Sequence, residues 1–210
     1  MSTRKYQGRF ITLEGGEGVG KSTLTRGLAA ALRAKGREVI ETREPGGAPG
    51  ADEIRALLVQ GEPGRWSAAE EALLFTAARL NHLIHTVRPA LQRGAWVVCD
   101  RYFDSTRAYQ VGGAGLAPDD HVELNALIRA DYPDLTLILD IDPKLGLARS
   151  RGAQKGEDRF EKKGAAFHAR VRAEFLSIAE REPQRCRVID SGQPAEAVLA
   201  EALSAAEALA

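Results

Sequence analysis

The stretch FITLEGGEGVGKSTLTRGL, residues 10–28, constrains this chain more than any other. An apolar, β-branched run leads into a glycine-rich turn that satisfies G-x-x-x-x-G-K-[ST] at Gly15, Gly20, Lys21 and Ser22, and the turn opens an apolar helical face at Leu24, Leu28 and Leu32. Strand, turn and helix in that order are the context in which the spacing makes a phosphate loop. Glycines remove the Cβ so that backbone N–H groups converge on an anion, and the helix beginning near Lys21 adds the positive end of its dipole. Gly15, Gly16, Glu17, Gly18, Val19, Gly20, Lys21, Ser22 and Thr23 are therefore expected to hold the phosphates of a nucleoside triphosphate, ATP or GTP. Lys21 suits the charge on the β- and γ-phosphates, and the Ser22 hydroxyl suits Mg²⁺. The loop does not say what receives the phosphoryl group.

Four further apolar runs, REVIETRE, WVVCDRY, LTLILDI and RCRVIDS, alternate with helix-like segments. Near-continuous apolarity fits strands buried on both faces of a parallel sheet. The alternation predicts one doubly wound α/β domain over residues 1–210, a five-stranded parallel sheet flanked by helices, with its site outside the carboxyl ends of the strands. Ser67 to Arg93 reads as one or two helices, with Leu73, Leu74, Ala77, Leu80, Leu83 and Ile84 as the apolar face and Pro89 as the kink or division. Val198, Leu199, Ala202, Leu203 and Ala206 mark a C-terminal helix. Residues 149–164, RSRGAQKGEDRFEKKG, are charged and glycine-punctuated and read as a mobile surface segment between helices.

Composition narrows the partners. Twenty-nine Lys and Arg balance 29 Asp and Glu, so no global field draws the chain to nucleic acid or to an anionic membrane, and any anion site has to be built locally. No stretch is apolar enough to span a bilayer and no secretory pattern opens the sequence, which points to a reduced cytoplasm. Cys99 and Cys186 sit in separate strand-like runs without ligand spacing and read as buried thiols. His82 and His85 share a helix face, but no third metal ligand accompanies them.

Asp100, Arg101 and Tyr102 close the third run and so reach the same sheet edge as the phosphate loop. They fit either a surface ion pair or a site in which Arg101 grips a phosphate bidentately and Asp100 orients water on Mg²⁺. Phe75 and Arg79 lie four apart on one helix face; spacing alone makes Phe75 a core residue and Arg79 an exposed charge. Glu17 alone reads as a solvent-facing loop residue, and Ser105, Thr106, Tyr109 and Gln110 as helix-surface polarity.

Taken in order, EGGEGVGKST, TREPGG, LLFTAARLNH and DRYFDSTRAYQ, followed by the basic RSRGAQKGEDRFE, resemble the bacterial thymidylate kinases over nearly the full length. The resemblance implies a P-loop kinase fold with a short basic lid at about 149–164, transfer of the γ-phosphoryl of ATP to dTMP with Mg²⁺, and a homodimer. It implies that Glu17 approaches the acceptor's 3′-hydroxyl and the metal region. Phe75 would stack on thymine and Arg79 donate to its O4, and Ser105, Thr106, Tyr109 and Gln110 would complete the nucleoside pocket, Tyr109 filling the space of a ribose 2′-hydroxyl. Arg43 would stand near the acceptor phosphate, with Pro45 in a tight turn after a cis peptide. Arg149 and Gln193 would border the adenine. Gly18 leaves the loop without an arginine, so the transferred group's second cation is expected from the lid, from Arg151 ahead of Arg159 and Lys155. Two rivals remain at this stage: another small P-loop kinase for a deoxynucleoside or a nucleoside monophosphate, and a nucleotide-dependent switch with no acceptor.

Overall fold

The computed structural model describes residues 5–150 and 159–209. In chain order the elements are β1 (Arg9–Gly15), α1 (Lys21–Ala34), β2 (Val39–Arg43), α2 (Pro49–Val59), α3 (Ala68–His82), α4 (Arg88–Gln92), β3 (Trp96–Asp100), α5 (Phe103–Thr106), α6 (Pro118–Leu127), β4 (Leu135–Asp140), α7 (Pro143–Ser150), α8 (Ala165–Arg181), β5 (Cys186–Asp190) and α9 (Ala195–Glu207). All five expected strands form, and they make one parallel sheet in the order β2-β3-β1-β4-β5. The register sets Asp100 beside Leu13 and Arg43, and Gly15 beside Leu139, so the strand ends that carry the motifs share one edge of the sheet.

Helices cover both faces. Leu24, Leu28 and Leu32 of α1, with Val198, Ala202 and Ala206 of α9, pack on Ile11, Leu13, Leu137 and Leu139. Across the sheet, Phe10, Val97 and Tyr102 meet Leu83 and Val87, while Val171, Phe175 and Ile178 of α8 close over Ile138. A fully buried leucine contributes about 1.5–3 kcal/mol relative to an exposed one, so α1 alone is held by several such increments. Cys99 and Cys186 are free and buried, as their strand positions imply, and burial pushes the Cys186 thiol up to about 12.

The segment after Ser67 begins with a capping box: Ser67 Oγ accepts from the Glu70 N–H at 3.3 Å, and Glu70 accepts from the Ser67 N–H at 2.8 Å. A single π-helical stretch, Leu83–Val87, then joins α3 to α4, whose first turn carries Pro89. The expected apolar face holds only in part: Leu83 is buried and Leu80 packs beside it in the core, but the rest of the stripe is not buried. Leu73 is 57% exposed, Ala77 and Ile84 are exposed too, and the buried face of α3 carries Glu71, Thr76, Arg79 and His82. The helix turns these polar residues inward because other elements meet them, Arg159 and Gln110 at Glu71, Glu44 at Arg79 and His82, and Thr106 at Arg79.

Of the described residues of segment 149–164, Arg149, Lys162 and Gly164 are exposed as a surface reading expects, and Arg159 departs from it. Arg149 and Ser150 end α7, and Arg159 is fully buried. Residues 151–158, with Arg151 and Lys155, lie outside the described residues.

Candidate active site

The phosphate loop is shaped by close approach. Gly20 caps α1 with φ +94° and no side-chain hydrogen bond, so the first N–H groups of the helix have no side-chain partner there and face the cavity end of the sheet. Gly18 has φ +66°, and a Cβ there would stand 1.8 Å from the Gly146 carbonyl oxygen of α7. No cation can be carried at that position without moving α7. Lys21 is almost buried and folds back, donating to the Gly15 and Gly16 carbonyls at 3.2 and 2.6 Å. Burial, and after it the Arg101 charge, lowers its pKa to about 8.

Beside it, Arg101 emerges from β3 with φ +70°, a conformation sparsely used by residues with a Cβ. That turn aims the guanidinium back across the sheet edge. Nη1 donates to Gly15 O at 3.0 Å and Ser105 Oγ at 3.1 Å; Nη2 donates to Glu17 Oε2 and Tyr109 Oη, both at 3.1 Å. Tyr109 donates its hydroxyl to Glu17 Oε1 at 2.7 Å. Burial would raise the Glu17 carboxyl, but Arg101, Lys21 and the Tyr109 hydrogen bond together hold it down at about 2. Ser22 Oγ donates to Asp100 Oδ2 at 2.7 Å, and Asp100 Oδ1 is buried without a partner among the described residues.

A cavity of about 400 Å³ runs from this cluster to α3 and the helix after β3. Its volume lies within the range of small-molecule sites. Gly18, Gly20, Lys21, Ser22, Thr23, Asp100 and Arg101 line one end, with Arg149 beside them; Phe75, Arg79, Thr106 and Gln110 line the other, and Arg43 and Pro45 stand along one wall. The Glu44-Pro45 peptide is cis. Arg149 donates to the Ser191 carbonyl at 3.1 Å, tying the end of α7 to the loop after β5. Gln193 is exposed on that loop and is not brought into the cavity wall.

At the far end, Arg79 is 1% exposed. Its Nε donates to Glu44 Oε2 at 2.8 Å and its Nη2 to Thr106 Oγ1 at 2.9 Å, while Nη1 has no partner among the described residues. Gln110, within the π-helical stretch Arg107–Gly113, donates through Nε2 to Glu71 at 2.7 Å and leaves its buried Oε1 unpartnered. Two residues that each keep one unmet polar atom, a donor on Arg79 and an acceptor on Gln110, thus line one pocket, closed by Phe75 and Phe160, whose rings are 6.1 Å apart.

Several residues here escape sequence reasoning. Glu14 accepts from the Tyr102 N–H at 2.8 Å and from Ser105 Oγ at 2.5 Å, directly behind Arg101, and burial followed by the Asp104 charge pushes its carboxyl up to about 8. A lone carboxylate inside the apolar run RFITLEG was its signal. Glu44 receives Nδ1–H of His82 at 2.9 Å, and His82 Nε2 meets the Thr42 hydroxyl at 2.8 Å, so His82 orients Glu44 rather than pairing with the exposed His85. Among the described residues no group of three or more His, Cys, Asp and Glu is placed to hold a metal. Glu71, behind the wall on Gln110, precedes Phe75 and Arg79 by one and two four-residue steps, which was its signal; Arg55 and Phe160, in the wall itself, had none.

A family model described as thymidylate kinase matches residues 13–202. The thymidylate kinase of Rhizorhabdus wittichii is 54% identical over 204 residues, covering 94% of this chain and 97% of that protein; the one from Caulobacter vibrioides is 53% identical over 201 residues, covering 92% and 93%. A crystal structure of thymidylate kinase from Ehrlichia chaffeensis superimposes with a TM-score of 0.76 at 31% identity, covering 94% of this chain and 98% of that one. A phosphate loop at one end of the cavity, a base-sized polar pocket at the other, and these likenesses along nearly the whole length agree: the chain belongs to the thymidylate kinase family.

Proposed function

We infer that this protein transfers the γ-phosphoryl group of ATP to dTMP, giving dTDP and ADP. One observation carries the reading of the acceptor: the pocket opposite the phosphate loop is lined by Arg79 and Gln110, each with one buried polar atom left without a partner among the described residues, a donor at Arg79 Nη1 and an acceptor at Gln110 Oε1. Thymine offers the complement, an acceptor at O4 and a hydrogen at N3. Cytosine offers the reverse at both atoms, and a buried polar group left unmet costs about 1–3 kcal/mol.

In the transfer, an oxygen of the dTMP 5′-phosphate attacks the γ-phosphorus while the bond from that phosphorus to the β-bridging oxygen breaks and ADP leaves. Such chemistry needs positioning and charge rather than a protein nucleophile. Lys21 leaves the loop carbonyls for the β- and γ-phosphates, and the N–H groups of the loop hold the β-phosphate. Arg101, with four acceptors already converging on it, exchanges some of them for the acceptor phosphate, aided by Arg43. Glu17, an anion held by Arg101 and Tyr109, faces the sugar 3′-hydroxyl, and Tyr109 closes the space of a 2′-hydroxyl. Phe75 stacks on the base; Thr106 and Ser105 hold Arg79 and Arg101 in place. The unmet Asp100 Oδ1 beside Ser22 suits Mg²⁺, which Ser22 and Asp100 would hold and which supplies charge neutralisation on the donor oxygens.

The remaining assignments rest on sequence resemblance. Arg149, and Gln193 on the loop after β5, border the adenine, and Arg151 supplies the second cation. No helix among the described residues is long and apolar enough to cross a membrane, and we place the enzyme in the cytoplasm. A homodimer is supported by the apolar side chains of α3 and α6 that stand in solvent, Leu73, Val122 and Leu127.

Incubating the purified protein with ATP, Mg²⁺ and a panel of nucleoside and deoxynucleoside monophosphates tests the reading. dTDP from dTMP is expected as the dominant product by chromatography. Faster turnover of a purine or cytosine monophosphate, or ATP binding with no product, overturns it in favour of another kinase or a switch.

A further inference from the structure

Glu71 does not line the cavity, yet it is bonded to a residue that does. Gln110 donates Nε2–H to Glu71 Oε2 at 2.7 Å. The other carboxylate oxygen accepts from Arg159 Nη1 at 2.7 Å and lies 3.7 Å from Lys163 Nζ. Arg159 is fully buried and further fixed by its Nε, which donates to the Leu58 carbonyl at 2.6 Å. A carboxylate paired with two cations only accepts, so the Gln110 amide has one way to stand: its NH₂ toward Glu71, its oxygen away. That oxygen is the unpartnered Oε1.

We propose that Glu71, held by Arg159, is a specificity-setting positioning residue: it locks the Gln110 amide so that an acceptor, not a donor, meets N3 of the base, favouring thymine over cytosine. The proposal rests on the base-pocket reading above and goes beyond it by assigning the choice to residues that touch no substrate. An unlocked amide can rotate by half a turn and offer Nε2–H instead, which suits the lone pair on cytosine N3. Glu71 forbids the rotation because the turned amide would set its oxygen against the carboxylate. Arg79 is held in position by Glu44, but its guanidinium donates whichever way it stands, so Gln110 is the reading side chain whose polarity needs a carboxylate to fix it.

The test is Glu71→Gln, whose amide can donate to a turned Gln110. The ratio of kcat/KM for dTMP to that for dCMP is expected to fall by at least about tenfold, mostly through KM, with kcat for dTMP within about threefold of the parent. A merely loosened enzyme would lose both substrates together. In a Gln110→Leu background, Glu71→Gln should leave the ratio where Gln110→Leu alone put it. A folded Glu71→Gln protein with the parent ratio overturns the proposal, as does an equal fall in the Gln110→Leu background. If Glu71→Gln does not fold, Glu71→Met with Arg159→Met removes the acceptor without stranding a buried charge; the same fall is expected, and an unchanged ratio overturns the lock. A parent enzyme that does not prefer dTMP, or a Gln110→Leu variant that keeps the full preference, instead sinks the base-pocket reading itself.

Discussion

At the phosphate end of the cavity, Arg101 and Glu17 keep 17% and 19% of their side chains in contact with solvent and are satisfied by one another, by Tyr109 and by loop carbonyls; at the base end, Arg79 and Glu44 keep 1% and 4%. The first cluster holds its charges on partners that a phosphate can replace. The second holds them on partners that stay, leaving one atom of each reading side chain unmet. The difference follows from what each end has to do. Charge migrates along the phosphate end during transfer, so its groups must change partners at low cost, whereas discrimination at a base edge needs donors and acceptors that cannot turn to suit the wrong ligand.

The sharpest way to break this contrast is Lys21→Met. A replaceable charge that acts on the migrating phosphoryl group should be dispensable for the fold and decisive for the reaction. We expect kcat to fall by on the order of a thousandfold or more in a coupled assay, with an unchanged circular dichroism spectrum and no loss of melting temperature. Near-parent turnover would show that the loop does not hold the donor. A collapsed melting temperature would show that its lysine is structural.

Next in size comes a pair of variants read side by side. Arg79→Ala strands the Glu44 carboxylate in the interior beside His82, and removing one partner of a buried pair costs about 3–5 kcal/mol. Arg101→Ala removes a guanidinium on the cavity wall whose ion-pair partner Glu17 keeps contact with solvent, and is expected to cost much less in stability but to weaken dTMP binding by roughly ten- to a hundredfold through the loss of charge-assisted hydrogen bonds. Denaturant melts and calorimetric titration with dTMP give the two readouts. If both variants lose the same stability, the distinction between exchangeable and permanent partners fails.

The two ends were unequally legible. A phosphate loop is local: Gly15 to Thr23 form a site from consecutive backbone groups, so spacing in the sequence is spacing in space, and the five strand runs that carry the fold are local in the same sense. Arg101 was legible because it ends a strand, and strand ends of a parallel sheet share an edge. The base pocket draws on Glu44, Glu71, Arg79, His82, Thr106 and Gln110, which come from three stretches of chain and meet only after packing. Hydropathy misled there for a physical reason. A helix whose buried face carries paired polar side chains looks inside out, so Leu73, Ala77 and Ile84 of the apolar stripe face outward while Leu83, with Leu80 beside it, reaches the core. Arg159 is illegible for a similar reason, because a charged, glycine-rich segment gives no hint that one of its cations is paired internally with Glu71.

The smallest expected effect probes the exchange of partners itself. Burial, then the Arg101 charge, lowers the Lys21 pKa from its ordinary 10.5 to about 8, against the pull of Glu17, Asp100 and Glu14. Because the folded value lies below the unfolded one, the unfolded chain binds more protons between pH 8 and 10.5, and stability rises with pH across that window. Below pH 8 the folded protein bears the full cost of a confined cation, and Lys21→Met, which cannot titrate, is spared it. The melting difference between variant and parent should therefore favour the variant most below pH 8 and shrink as pH climbs toward 10.5. Binding of ATP places negative charge against Lys21 and drives its pKa back up, so at pH 8, where close to half of the lysines are neutral, ATP should take up about half a proton. Titration calorimetry in two buffers of different ionisation enthalpy measures that uptake directly, and Lys21→Met should lack it. A buffer-independent heat in the parent would mean that the charge of Lys21 does not respond to the phosphates, and that the loop lysine is as fixed in its partners as Arg79.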